Sequence, residues 1–67
     1  MVSYKIISGH ETLMSGEFPL EYSNVSDYIG ELKQLADYAL FRGIEVVFEL
    51  HFPNAQKPII KHYTVGE

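Results

Sequence analysis

The stretch Gly43–Phe52, GIEVVFELHF, decides the fold. Ile44, Val46, Phe48, Leu50 and Phe52 alternate with Glu45, Val47, Glu49 and His51. Alternation sustained this long predicts a β-strand with one buried face. Directly before it, Val25 to Arg42 carries Val25, Tyr28, Ile29, Leu32, Leu35, Ala36, Ala39 and Leu40 at helical spacing. At about 100° per residue these fall in one stripe centred on Leu32. Asn24 stands at the N-cap position, with Asp27 three residues on as a weak capping box. Arg42 and Gly43 read as the stop, Gly43 as the left-handed residue after the last turn. Gly30 lies opposite the stripe and costs the helix about 1 kcal/mol relative to Ala.

Outward from this helix–strand pair the chain is β-type. Val2 to Ser8 alternates, and Gly9-His10 is a tight turn. Thr12 to Leu20 returns as a second strand, with Met14, Phe18 and Leu20 on one face. Gly16 marks a bulge or a close backbone approach, and Pro19 belongs at a strand end. Glu21 to Asn24 leads into the helix. Pro53 to Pro58 is a turn, and Ile59 to Val65 a fourth strand. The expected fold is α+β: a small antiparallel sheet, β-β-α-β-β, with one amphipathic helix on one face. A helix of eighteen residues spans about 27 Å, enough to cover a nine-residue strand. The last hairpin has two readings: Glu49 opposite Lys61 satisfies charge, and Glu49 opposite His62 buries more apolar surface. Either leaves apolar residues outward, from Val47, Ile60 or Tyr63, with Ile7 beside them.

The 67 residues amount to a single small domain, 1–67. A hydrophobic fraction of 46% in clear patterns argues against disorder. Below about 70–80 residues a lone core gives a thin margin, so disulfides, a metal or a partner chain commonly add support. There is no cysteine, which removes disulfides and thiolate zinc sites. A homodimer or a heterocomplex is the expected remaining support. The formal charge of −4 gives no electrostatic footprint for nucleic acid. Between Ile6 and Leu32 every charged side chain is acidic: Glu11, Glu17, Glu21, Asp27 and Glu31. The plainer reading is a solvated acidic surface; the sharper one is a patch for a partner protein with a basic surface. No secretory leader pattern and no apolar run of about 20 residues is present, so the default is a cytoplasmic protein without membrane segments.

Chemical motifs are weak, and no cofactor is expected. His51 and His62, with Glu49 nearby, would make a zinc-type site if the last hairpin brought them together, but no recognised ligand spacing occurs. Ser8-Gly9-His10-Glu11 holds triad residue types in a turn too tight to build a pocket. None of Ser3, Ser8, Ser15, Ser23 and Ser26 sits in a G-x-S-x-G elbow. The expectation is therefore a non-enzyme.

The helix holds the better lead. Tyr38 and Phe41 project about 120° and about 180° from the Leu32 stripe. Gln34 and Asp37 flank them, and Asp27 and Glu31 extend the face. Two aromatics on a polar face resemble an interface anchor with a polar rim. The alternative for Phe41 is that it folds under the hairpin or the Pro53–Pro58 turn. In size and ββα-plus-strand layout the chain is similar to small phage-encoded inhibitors of host enzymes, a likeness of architecture with no shared motif. The leading expectation is an acidic regulatory or inhibitory protein-binding module. The alternatives are a self-assembling homo-oligomeric subunit, or a small metal protein or enzyme using His51 and His62.

Overall fold

The computed structural model describes residues 1–20 and 24–67. The expected α+β architecture is what the chain adopts. β1 (Val2–Ser8), β2 (Glu11–Phe18), β3 (Glu45–His51) and β4 (Ile59–Thr64) form one antiparallel sheet in the order β2-β1-β3-β4. The helix α1 (Val25–Ala39) packs on one face. The hairpins therefore join through β1 and β3, whose register sets Ile6 against Phe48. This places the two most apolar alternating runs side by side at the centre of the sheet. Val2, Ile6, Val46, Phe48 and Leu50 are buried from the strands, and Tyr28, Ile29, Leu32 and Ala36 from the helix. Val25 and Ala39, both expected in the stripe, are exposed.

The first hairpin turns on Gly9 and His10. Gly9 has φ +63° and no described non-glycine residue has positive φ. That combination is a type II′ turn, whose twist suits a two-residue hairpin. Between Ile6 and Ile7 the register slips: Met14 pairs with Ile6 but Thr12 pairs with Ile7. The bulge leaves Leu13 without an opposite residue, so Leu13 and Met14 both pack against the core. The bulge is thus at Leu13, and Gly16 marks a close approach instead. Tyr4 lies opposite Gly16, and its ring stacks on Phe18 with centroids 4.8 Å apart. A Cβ on Gly16 would stand 2.7 Å from the Tyr4 hydroxyl. Phe18 continues the cluster to Tyr28, whose ring meets Phe52 edge-on at 5.4 Å. The Tyr28 hydroxyl donates to the Pro19 carbonyl at 3.4 Å. Leu20, expected on the buried face, is exposed.

The helix ends earlier than its spacing suggests. It stops at Ala39, with Leu40 extended (φ −116°, ψ 162°) and its N–H donating to the Ala36 carbonyl. Gly43 does not cap the helix. Its φ of +90° belongs to a separate Phe41–Ile44 turn, closed by the Ile44 N–H to the Phe41 carbonyl at 3.4 Å. Asn24 occupies the N-cap position but makes no side-chain cap bond, so the expected capping box is not formed. Glu21, Tyr22 and Ser23 of the connection lie outside the described residues.

The last hairpin takes neither expected register. Glu49 pairs with Ile60, Phe48 with Lys61 and Val46 with Tyr63. Strand alternation fixes which face a residue occupies, and a shift of two residues preserves that face. The observed pairing is the apolar-burying register moved by two. Tyr63 still faces inward and lies 5.4 Å from the Phe48 ring, centre to centre.

Candidate functional site

α1 carries two lines of side chains away from the core. Asp27, Glu31, Gln34 and Tyr38 recur at spacings of four, three and four, which stacks them along one side of a helix. Asp27, Gln34 and Tyr38 are exposed and Glu31 is partly buried. Tyr38 is 93% exposed and Phe41 83%. Every other described aromatic residue is buried or partly buried. Phe41 does not fold under the hairpin or the Pro53–Pro58 turn. Because α1 ends at Ala39, Phe41 opens the turn that follows, one helical turn beyond Tyr38 in the chain.

Asp37 has a different position. It belongs to the second line, Ser26, Gly30, Lys33 and Asp37, on the side toward β4. The Tyr63 hydroxyl donates to Asp37 Oδ1 at 2.8 Å and reaches Oδ2 at 3.0 Å. The Gly66 N–H donates to Oδ1 at 2.8 Å. Asp37 thereby ties the helix to the end of β4. The Tyr63 phenol is pushed above its ordinary value of 10.0, first by its bond to the Asp37 carboxylate, then by desolvation and the nearby negative charge. Arg42 closes the same corner, its guanidinium donating to the Gly66 carbonyl at 3.4 Å.

The second line borders a groove. α1 runs in the direction of β4: Ile29 and Gly30 stand beside Ile59 and Lys61, and Asp37 beside Tyr63 and Gly66. Between them an open groove of about 390 Å³ is lined by Val25, Ser26, Ile29, Gly30, Lys33, Ile59 and Lys61. Its charged lining is cationic. Lys33 is held over the Tyr63 ring, its Nζ 5.5 Å from the centroid. The expected site did not include this groove. Its one sequence signal is Gly30, a mid-helix glycine with no local need.

The histidines are not brought together. His62 lies opposite Val47, whereas His51 is four residues further along β3, about 13 Å at strand rise. His51 Nε2 instead meets Glu49 Oε1 at 2.7 Å on the outer sheet face. Among the described residues no cluster of three or more His, Asp or Glu side chains is arranged to hold a metal ion. Ser8 turns its hydroxyl to the Glu45 carbonyl at 3.3 Å, away from any triad with His10. A second hollow of about 300 Å³ lies at the far end of the last hairpin, lined by Glu45, Val46, His62, Tyr63, Thr64 and Glu67. No described helix is long and apolar enough to cross a membrane. No protein-family model matches the chain, and no curated protein or solved structure is significantly similar to it.

Proposed function

We propose that this chain is a small acidic protein-binding module, without catalytic activity, that regulates or inhibits a partner by occupying its surface. Tyr38 and Phe41 are the anchors, and Asp27, Glu31 and Gln34 form the rim toward the helix N-terminus. The observation that supports this reading is the exposure of Tyr38 and Phe41, 93% and 83%, in a fold that shelters its other described aromatics. Large aromatic side chains contribute most when an interface desolvates them, while rim charges act mainly on approach rate and salt dependence. The acidic rim favours a basic partner surface. Asp37 contributes less to this rim than its spacing suggests, since its carboxylate already accepts from two donors, the Tyr63 hydroxyl and the Gly66 N–H.

The test starts from a partner captured from the source cell with the wild-type chain. Tyr38→Ala should weaken that complex by at least about 2 kcal/mol, roughly thirtyfold, with unchanged thermal unfolding. If Tyr38→Ala and Phe41→Ala bind normally while Val47→Asp does not, the interface is the outer sheet face and this reading fails.

A second reading rests on that outer face. Ile7 and Val47 are directly paired there, and Ile60 is 49% exposed. An uncovered sheet face with these residues favours self-assembly. Sedimentation at micromolar concentration decides it: a monomer excludes a stable homo-oligomer under those conditions.

A further inference from the structure

We propose that the β4 edge and the groove beside it take up an extended acidic segment of a partner protein, added as a fifth strand. This site is separate from the Tyr38 face.

β4 is one of the two edges of the sheet. An edge strand presents unpaired N–H and C=O groups to any strand laid beside it. The other edge, β2, is interrupted by the Leu13 bulge, which blunts it. β4 has a continuous register over Ile59–Thr64. A strand added there has alternate side chains pointing to the helix side. Those side chains enter the groove, meeting Val25, Ile29 and Ile59 as apolar contacts and Lys33 and Lys61 as charges. The groove lining holds two ammonium groups and no carboxylate, in a chain whose net charge is −4. Charge complementarity therefore selects a carboxylate, flanked two residues away by apolar side chains. The inward-facing Lys61 also deters an apolar or basic strand, so the edge is protected against indiscriminate pairing.

Gly30 is the second observation. It lies within α1, has no positive φ, and a Cβ there would meet nothing within 4 Å. The free fold gives no reason for glycine at this point. Gly30 lines the groove, and a long side chain there, such as Leu, would narrow it for a strand laid along β4.

The probe is a displayed library of random twelve-residue peptides, selected on the wild-type chain and counter-selected on Gly30→Leu. Enriched peptides should share an Asp or Glu with apolar or β-branched residues two places to either side. A synthesised winner should shift the amide resonances of Ile59–Thr64 and Gly30. Its affinity should fall at least tenfold in Lys33→Glu and in Lys61→Glu, and be lost in Gly30→Leu with the helix signal intact. Lys5→Glu, the same charge change on the outer face of β1, should leave it within twofold. The proposal is overturned if no peptide is enriched, if winners lack a carboxylate, or if they bind Gly30→Leu equally well. Concentration-dependent protection of β4 amides without peptide would assign the edge to a second copy of the chain, and overturns it too.

Discussion

Replacing Gly30 with Ala should stabilise the protein. Gly30 is the sixth of fifteen residues in α1, and its backbone is not in the left-handed region. Glycine in a helix interior costs about 0.8–1.0 kcal/mol relative to Ala, through the conformational freedom it loses on folding. That gain is offset elsewhere only if the new methyl collides, and space around its position is open to 4 Å. The expected gain is about 0.5–1 kcal/mol. Unfolding entropy of about 2.1 cal/mol/K per residue comes to about 0.14 kcal/mol/K over 67 residues. Tm should therefore rise by about 4–7 °C. In urea, with a slope near 1 kcal/mol/M for so small a chain, the midpoint should rise by about 0.5–1 M with no change of slope. Thermal and urea melts followed by helix circular dichroism make the measurement. An unchanged or lower Tm at unchanged slope would refute the reasoning: either α1 is not continuous through Gly30 or the groove floor is already occupied. A stabilised Gly30→Ala protein would show that the glycine is retained at a cost to the fold.

Three further outcomes are expected. Phe48→Ala empties the centre of the core and should cost about 3–5 kcal/mol, a large share of the total of about 3–10 kcal/mol for this length, so its melt should fall well below that of the wild type; Ile6→Val, its neighbour on β1, should cost only about 0.5–1.5 kcal/mol, and equal melts for Phe48→Ala and wild type would mean the buried face is misassigned. Gly16→Ala should destabilise by about 1–3 kcal/mol, because the Tyr4 ring cannot retreat from the new methyl without breaking its stack on Phe18, and much of the loss should vanish when Tyr4→Ala is combined with it. The raised Tyr63 phenol means that its contribution to stability is present below pH 10 and is lost as pH climbs through the higher folded-state value; Tyr63→Phe should flatten this alkaline decline, and identical pH–stability curves for the two proteins would count against the Asp37 bond.

What sequence could reveal here follows from which forces are local. The burial alternation of β3, the stripe of α1 and the Gly9-His10 turn each depend on residues close in the chain, and all three are present in the fold. The offset of the last hairpin depends on how the Pro53–Pro58 segment is traversed, and alternation is blind to a shift of two. Gly43 has the signature of a helix stop and also suits the third position of a turn. Its N–H donates to the Val65 carbonyl at 2.9 Å, a long-range bond invisible to local pattern. Asp37 was legible as a polar helix residue, but its partners stand 26 and 29 residues away. Tyr38 was legible as a surplus aromatic because helical geometry alone carries it away from Leu32, whereas Phe41 is exposed for a different reason, since α1 ends at Ala39 and Phe41 opens the turn that follows. The groove was not, since it requires knowing that β4, rather than β2, lies beside the Gly30 side of the helix.

The two proposed surfaces are kept apart by one side chain. Lys33 and Asp37 stand four residues apart on α1, a spacing that brings opposite charges within reach on a helix. Had they paired, the groove would have lost a cation. Instead Asp37 accepts from Tyr63 and Gly66, and the Lys33 ammonium lies over the Tyr63 ring. On the opposite face of the sheet, Glu49 is engaged separately by the His51 ring nitrogen. The Asp37–Tyr63 bond thus closes the far end of the fold and leaves Lys33 directed at the groove. From Gly30 to Tyr38 is eight residues, about 12 Å along the helix axis, and roughly 80° around it. A strand on β4 beside the N-terminal half of α1 and a partner gripping Tyr38 and Phe41 beyond its C-terminal end would therefore occupy different parts of the same helix. Salt should weaken both interactions, whereas charge reversal at Lys61 should affect only the first and charge reversal at Asp27 only the second.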